Sequence, residues 1–204
     1  MFQLDAEHVL RPVRSGDGAA LASAYRANRE HLAPWEPIRD EDFFTAEWQE
    51  HHARECEAEA DAGRSLRFVI EAADGEIRGR ANLNNIVRGA FWSTDLGYWV
   101  GAGQLRRGLG SRAVATIVQY ARDDLGLHRI QAATLLHNHA SQRVLTGNGF
   151  ERIGIAPRYL RIAGHWQDHV LFQRILDDEK APPASTLLGP TPRTSVKGRG
   201  GDRG

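Results

Sequence analysis

The stretch GAGQLRRGLGS, residues 101–111, lies between two segments of different periodicity. On its N-terminal side, FWSTDLGYWV at 91–100 is typical of a β-strand. On its C-terminal side, apolar residues recur every four positions from Leu109, which predicts a helix that ends at Gly126. A loop rich in glycine and arginine at a helix N-terminus is typical of an anion site, because backbone N–H groups and the helix dipole face the ligand there.

The loop residues suit a phosphate in particular. Gly108 and Gly110 let a phosphate approach the backbone without a Cβ in the way, and Arg106 and Arg107 supply charge and forked donors. We therefore expect the ligand to carry a pyrophosphate.

Other interpretations of this loop are weaker. A nucleotide P-loop requires Gly-Lys-Ser/Thr, and Arg107-Gly108-Leu109 does not supply it. The letters GLGSRA match a dinucleotide-binding pattern, but that fold needs repeated βαβ units and an acidic residue after the next strand, where LLHNH stands. A merely flexible connection remains the structural alternative.

Outward from the loop, the periodicities predict an α+β fold. Segments with a period of two predict seven strands, at 8–13, 65–72, 76–87, 91–100, 128–135, 150–162 and 166–175. About four helices are expected, one after an N-cap at Asp17, one over 45–62 beginning at Thr45, one after the glycine loop, and one over 138–146. Because one crossover helix separates otherwise meandering strands, we expect a mixed, mainly antiparallel sheet.

Composition limits the class of protein. The 204 residues carry 26 basic and 26 acidic side chains, so no overall field attracts nucleic acid or an anionic membrane. The single cysteine, Cys56, favours a reducing compartment, and there is no signal-peptide pattern or membrane-spanning run. We expect a cytoplasmic protein with one folded domain over 1–180 and a disordered, basic, Pro/Gly-rich tail over 181–204.

Several longer stretches resemble one enzyme family. They are NREHLAPWEPIRDE at 28–41, GRANLNNIVRGAF at 79–91, LGYWVG at 96–101, HNHASQRVLTGNGFERIG at 137–154 and RYLRIAGHWQDHVLF at 158–172. Together with LRRGLG at 105–110, which is similar to the Q/R-x-x-G-x-G/A motif of GNAT acetyltransferases, they resemble the RimJ-like branch that acetylates the N-terminal alanine of ribosomal proteins. Leu105 departs from the first position of that motif.

The resemblance implies the GNAT fold, acetyl-CoA as co-substrate, and a cofactor site between two splayed strands. Pantetheine would insert between 96–101 and 128–135, and one backbone N–H there would stabilise the oxyanion. The residues implied in binding the pantetheine arm are Trp99, Val100 and Gly101. Those implied in binding the phosphates are Leu105, Arg106, Arg107, Gly108, Leu109, Gly110 and Ser111.

Two residues after the next strand match the family's H-N-x-x-S motif. The resemblance implies that Asn138 bonds the cofactor arm and that Ser141, one turn later, protonates the departing thiolate. Asn138 is equally suited to be an ordinary N-cap, with Ser141 exposed on the first turn.

The acceptor side is less well specified. Asp95 could relay a proton through water or be a solvated strand residue, and Glu36 could hold the incoming amine or belong to a proline-bounded turn. Trp35 and His165 could line the acceptor site, although a structural pair of His165 and His169 with Asp168 is the preferred alternative. The histidine spacings do not converge on a metal, so none is expected.

The leading hypothesis is therefore an N-α-acetyltransferase whose partner is a protein N-terminus beginning with alanine or serine, on a ribosomal protein, with possible docking on the ribosome. An α-amine has a pKa of about 7.8 against about 10.4 for lysine, so a weak water-mediated relay suffices for it. A small-molecule amine acetyltransferase and a non-catalytic acyl-CoA-binding or ribosome-associated module are the alternatives.

Overall fold

The computed structural model describes residues 1–176. In chain order the strands are β1 (Phe2–Gln3), β2 (His8–Pro12), β3 (Leu66–Ala72), β4 (Ile77–Val87), β5 (Ser93–Val100), β6 (Arg129–Leu135), β7 (Glu151–Ile162) and β8 (His165–Ile175). The α-helices are α1 (Gly18–Ala27), α2 (Arg29–Leu32), α3 (Ala46–Asp61), α4 (Leu109–Asp123) and α5 (His139–Gly147). Short 3-10 turns cover Glu41–Phe44 and Ala102–Gln104.

The described strands form one sheet in the order β1-β2-β3-β4-β5-β6-β8-β7. Every neighbouring pair in it is antiparallel except β5 and β6, which the crossover helix α4 connects in parallel. This confirms the mixed, mainly antiparallel α+β sheet.

The predicted counts of elements are too low. Residues 1–176 form eight strands rather than seven and five α-helices rather than about four. The additional strand, β1, has only two residues, so no periodicity reveals it, and Phe2 holds it by packing against the rings of Phe68 and Tyr120. The additional helix, α2, is a single turn.

Two apolar clusters lie on opposite faces of the sheet. Alternation along β5 separates them, because successive side chains point to opposite faces. Tyr98 and Val100 pack with the apolar stripe of α4, whereas Trp99 packs with α1 and α3. The cluster on the α4 face contains the buried side chains of Leu109, Ala113, Ile117 and Ala121.

Two predicted helix caps have different outcomes. Thr45 caps α3 as expected, since its hydroxyl accepts the Trp48 N–H at 3.2 Å. Asp17 is the N-cap residue of α1 by position, as predicted, but its carboxylate makes no capping bond. The carboxylate is instead occupied by the buried Arg11, whose Nη1 and Nη2 donate to it at 2.8 and 2.9 Å, because a buried guanidinium needs a charged partner.

The predicted tail at 181–204 and the end of the predicted domain at 180 lie outside the described residues. Within residues 1–176, no helix is both long and apolar enough to cross a membrane.

Candidate active site

The central feature of the site is a gap between β5 and β6. The two strands pair only where Ser93–Asp95 face Arg129–Gln131, although β5 continues to Val100 and β6 to Leu135. The expected splay is therefore confirmed. It leaves the last five residues of β5 without a backbone partner on the β6 side.

The backbone that faces this gap belongs to alternate residues. The Gly101 N–H donates to Arg78 O at 2.8 Å inside the sheet, so Gly101 and, by alternation, Trp99 face β4. Tyr98 and Val100 consequently present their N–H and C=O groups to the gap. Of the three backbone positions implied for the pantetheine arm, Val100 is the one whose N–H faces the gap. The expectations for Trp99 and Gly101 are corrected, because their N–H groups face β4.

The connection between α1 and α2 holds the end of β5. His31 Nε2 lies 3.2 Å from Val100 O, and Asn28 Oδ1 accepts the Ala102 N–H at 2.8 Å. Neither residue was singled out from the sequence, although both lie in the 28–41 stretch that carries the resemblance. These contacts fix where the strand passes into the glycine loop.

The glycine loop presents free backbone donors at the start of α4. Gly108 adopts a left-handed conformation with φ of 73°, and the Arg112 N–H makes the first helical bond to Gly108 O at 3.0 Å. The preceding N–H groups of Leu109, Gly110 and Ser111 therefore have no partner within the helix. Since the Leu109 side chain is buried in the core, Leu109 can offer only its N–H to a ligand.

The arginines differ in their tasks. Arg106, with φ of 61°, and Arg107 are exposed, as is Leu105. Arg112 turns back instead, donating to Arg107 O at 3.2 Å and pairing with Asp5 at 2.5 Å. Two exposed cations thus lie near the N–H groups, of which Arg107 also contacts Gln104 and Glu7, while Arg112 maintains the shape of the loop.

Gly110 faces the gap. A Cβ at Gly110 would lie 3.6 Å from Val100 Cγ1 and 3.9 Å from the Tyr98 ring, which is ordinary contact. Its neighbour Ser111 accepts a hydrogen bond from Asn148 Nδ2 at 3.1 Å, which ties α4 to the end of α5. Glycine at 110 therefore keeps space open between α4 and β5.

Helix α5 carries the residues that follow the second strand of the gap. Asn138 Oδ1 accepts the Ser141 N–H at 3.1 Å, so Asn138 is the N-cap, while its Nδ2 is left to donate to a ligand. The Ser141 hydroxyl lies 2.8 Å from the Tyr98 hydroxyl. Burial raises the pKa of Tyr98 to about 12, against a smaller opposing effect of the Ser141 hydrogen bond, so the phenol is neutral.

Tyr98 was missed by the sequence analysis. It lies in the LGYWVG stretch, and its alternation with Leu96 and Val100 places it on the face of β5 toward α4. Its contact with Ser141 spans 43 residues, which no local pattern indicates.

At the same edge of the sheet, the 34–38 loop meets the β7–β8 turn. The Ala163 N–H donates to Glu36 O at 3.0 Å, and Gly164 packs against Ile38. The Trp35 ring, partly exposed, lies 5.5 Å from the ring of His137, next to the Asn138 cap. The loop thus reaches from α2 to the start of α5.

A cavity of about 290 Å³ lies behind this loop. Its lining is mostly apolar and includes Tyr25, Leu32, Phe44 and Ile38, with Arg29, Arg39 and Glu36 as charged members. Glu36 is half-buried, and this burial raises its pKa, with Arg39 and Arg80 acting in the opposite direction. Among the described residues, Glu36 is the one carboxylate that lines this cavity, where it lies beside two arginines.

The histidines of β8 are arranged differently from the preferred alternative. Asp168 accepts the Arg158 N–H at 2.8 Å, and His169 is buried with Nδ1 2.9 Å from Gln167 O. His165 is exposed near the turn. The expected structural pair of His165 and His169 with Asp168 is therefore wrong, because backbone groups of the β7–β8 hairpin occupy Asp168 and His169.

Residues 8–151 match the family model of the acetyltransferase (GNAT) domain. The chain belongs to the GNAT acetyltransferase family. An Escherichia coli K12 enzyme, [ribosomal protein uS5]-alanine N-acetyltransferase, is 37% identical over 164 residues, which cover 80% of this chain and 84% of the relative.

Two solved structures extend the likeness to three dimensions. The ribosomal-protein-S5-alanine acetyltransferase of Vibrio fischeri has a TM-score of 0.82 and 32% identity, over 87% of this chain and all of that one. Mycobacterium smegmatis RimJ in complex with CoA-disulfide has a TM-score of 0.79 and 34% identity, over 89% and 88% of the two chains. This GNAT chain is accordingly an acetyl-CoA-dependent N-acetyltransferase.

The residues present fit that co-substrate. The N–H groups at the start of α4, with Arg106 and Arg107, can hold the pyrophosphate, and the gap along β5 can take the pantetheine arm through Val100 and Asn138. Acetyl-CoA supplies the acetyl thioester. The Tyr98–Ser141 pair joins β5, on one side of this gap, to α5.

Not every candidate site residue predicted from the sequence lies at this site. Asp95 lies on the opposite face of β5 from Tyr98 by alternation, and its carboxylate accepts from Asn85 Nδ2 at 2.9 Å. The structure therefore does not bring Asp95 and Ser141 together, and a catalytic role for Asp95 stays a prediction. Among the described residues, no cluster of three or more His, Cys, Asp or Glu could hold a metal ion.

Proposed function

We propose that this GNAT enzyme acetylates the N-terminal α-amine of a ribosomal protein whose first residue is alanine or serine. The observation that carries the proposal is the cavity behind the 34–38 loop, whose mostly apolar lining includes one carboxylate, Glu36, beside Arg29 and Arg39. We assign this cavity to the short first side chain of the acceptor and the Glu36 carboxylate to its amine. The proposal is supported by relatives from E. coli and V. fischeri that are named for acetylating the alanine of ribosomal protein uS5.

The residues divide the reaction between them. The Val100 N–H faces the gap and stabilises the oxyanion that forms when the amine attacks. Ser141, whose hydroxyl lies 2.8 Å from that of Tyr98, donates its proton to the departing sulfur in this proposal. Glu36 holds the incoming amine, and Trp35 and His165 border its approach.

The acceptor must lose a proton before it attacks. Because an α-amine has a pKa of about 7.8, a useful fraction is neutral at physiological pH. A water-mediated relay is then sufficient, and no strongly basic side chain is required. A lysine, with a pKa of about 10.4, would be far less reactive in the same site.

A ribosomal acceptor also implies the partner and the cellular location of the enzyme. The partner is the exposed N-terminus of a ribosomal protein, and the enzyme works in the cytoplasm where that protein is made. Docking on the ribosome itself, and any part that 181–204 plays in it, belongs to this proposal.

A panel of acceptors tests the proposal. Initial rates are compared at one pH for peptides that begin with Ala, Ser or Met, for an N-acetylated alanine peptide with an internal lysine, and for spermidine and glucosamine. We expect the Ala and Ser peptides to be fastest and the blocked peptide to be inert. Faster turnover of a small amine, or acetylation of the blocked peptide's lysine, would overturn the acceptor assignment.

A further inference from the structure

The hydroxyl of Tyr98 on β5 contacts helix α5. It lies 2.8 Å from Ser141 Oγ and 3.2 Å from Ser141 O, so it joins β5 to α5 across the mouth of the gap. Both residues are half-buried. A tyrosine on the splayed strand thus touches the serine to which the resemblance gives the proton-donor role.

Helix capping does not explain this contact. The Ser141 N–H already donates to Asn138 Oδ1, so the first turn of α5 is capped without Tyr98. Packing does not explain it either, since a phenylalanine ring would fill the same space beside Val100 and α4. What the hydroxyl adds is a hydrogen bond at 2.8 Å to the side chain of Ser141, with the Ser141 carbonyl at 3.2 Å as a second, longer acceptor for the single phenol proton.

The protonation state of Tyr98 suits a donor. Burial raises its pKa to about 12, so the phenol keeps its proton at physiological pH. When the phenol donates to Ser141 Oγ, the serine's own proton must point elsewhere. We assign that direction to the gap, on whose side β5 has no strand partner beyond Asp95.

We propose that Tyr98 is a positioning residue that aims the Ser141 hydroxyl at the departing sulfur. In this step the C–N bond forms, the C–S bond breaks, and the electron pair of the C–S bond stays on sulfur. Ser141 Oγ gives its proton to that sulfur, and the Tyr98 hydrogen bond stabilises the negative charge that develops on Oγ. The proton lost by the acceptor nitrogen restores Ser141. The inference rests on the proposed acetyl transfer at this gap.

The test uses Tyr98→Phe, Ser141→Ala and the double variant, with Tyr120→Phe as the matched control. Tyr120 is a partly buried tyrosine on the same core, away from Ser141. We expect Tyr98→Phe to lower kcat about five- to tenfold, with the KM for acetyl-CoA changed less than about twofold. In the Ser141→Ala background it should add nothing, because the residue acts through Ser141.

Unchanged kcat in Tyr98→Phe, or equal losses with and without Ser141, would overturn the proposal. So would a raised KM at constant kcat, since that result would make Tyr98 a cofactor-binding residue. Tyr120→Phe should match the wild type in kcat, and a comparable loss there would show that removing any core hydroxyl slows the enzyme.

A second readout does not depend on turnover. The product CoA is titrated in its complex with each variant, and thiolate formation is followed by ultraviolet absorbance. A hydroxyl aimed at the sulfur favours the thiolate, so the pKa of the bound thiol should rise in Ser141→Ala, rise less in Tyr98→Phe, and rise no further in the double variant. The other titratable groups on the flanking elements, His31, His137, His139, Arg106 and Arg107, are present in every variant. Identical thiol pKa values in wild type and Tyr98→Phe would contradict the proposal.

This design separates the inference from the acceptor assignment. Thiol release can be measured with whichever amine the wild type acetylates fastest, and the CoA titration needs no acceptor. Failure of alanine peptides as substrates would refute the proposed function, whereas additive losses or an unmoved thiol pKa would refute the role of Tyr98.

Discussion

Arg112 of α4 and Asp5 of the β1–β2 turn form an ion pair of 2.5 Å between residues 107 positions apart. The same guanidinium donates to Arg107 O at 3.2 Å. The N-terminal turn therefore fixes the glycine loop through one side chain. Asp5 also accepts bonds from His8 Nδ1 at 2.8 Å and the Glu7 N–H at 2.9 Å.

Replacement of Asp5 should lower the stability of the fold and weaken acetyl-CoA binding. Burial acts to raise the pKa of Asp5, but the hydrogen bonds from His8, the Glu7 N–H and Arg112 outweigh it and lower the pKa to about 2. A lowered pKa means that this stabilisation is present above about pH 4 and is lost as pH falls toward 2. We expect Asp5→Asn to cost about 1 kcal/mol at neutral pH, after allowance for partial exposure, and to weaken acetyl-CoA a few-fold.

Urea denaturation of the wild type and Asp5→Asn between pH 3 and pH 6 checks this. The difference in unfolding free energy between the two should shrink as the pH falls. A difference that stays constant across the range would show that the Asp5 carboxylate does not stabilise the fold through its charge.

The size of the side chain at position 110 should determine whether acetyl-CoA can bind. Because its Cβ would point at Val100 and Tyr98 with ordinary contact distances, Gly110→Ala should fold and bind nearly normally. Gly110→Phe should fold but lose acetyl-CoA binding by calorimetry, since the ring would enter the gap. Gly103→Ala is the control, as nothing lies within 4 Å of its Cβ. Unchanged affinity in Gly110→Phe would place the cofactor elsewhere.

Asn138 has two separable tasks. Asn138→Ala should destabilise the protein by about 1 kcal/mol, because the cap on the Ser141 N–H is lost. Asn138→Asp keeps a capping oxygen and should preserve the melting temperature, yet it loses the Nδ2 donor and should weaken acetyl-CoA binding. Full affinity in the aspartate variant would leave Asn138 with the capping role alone.

Glu36 should control the acceptor rather than the cofactor. We expect Glu36→Gln to raise the KM for an alanine peptide about tenfold and to leave acetyl-CoA affinity unchanged, because the carboxylate lines the small cavity. Since burial raises its pKa, the wild-type KM should begin to climb on acidification at a higher pH than an ordinary glutamate would cause. In the glutamine variant, the KM should not show this rise on acidification.

Glu30→Gln gives the control with the same charge change on the exposed side of α2. An equal rise in KM for both variants would mean that net charge, not the position of Glu36, governs the acceptor.

Sequence patterns predicted those features that depend on contacts between residues close together in the chain. The period-four stripe from Leu109 and the Thr45 cap were found because each depends on neighbours within one helix. Asp17 holds the predicted N-cap position, but its carboxylate binds the buried Arg11 guanidinium instead of the helix N–H groups. Tyr98 and Arg112 were missed because their partners are distant in sequence and meet them only in the folded sheet.

The splay of β5 from β6 was predicted from the family resemblance and not from the periodicity of the residues. Alternation alone predicts that 91–100 and 128–135 are strands, but not that they part after Asp95. The register then decides which backbone groups are free, and it favours Val100 over Gly101. That choice follows from the hydrogen bond to Arg78 O and had no signature in the residue types.

The central claim is that this GNAT enzyme acetylates the N-terminus of a ribosomal protein. Intact-mass analysis of ribosomal proteins from cells with and without the chain tests it most directly, with Ser141→Ala as a folded, weakened comparison. We predict that one ribosomal protein beginning with alanine or serine loses a single acetyl group when the chain is absent, and loses part of it with Ser141→Ala. An unchanged set of acetylated ribosomal proteins in the deletion would contradict the account.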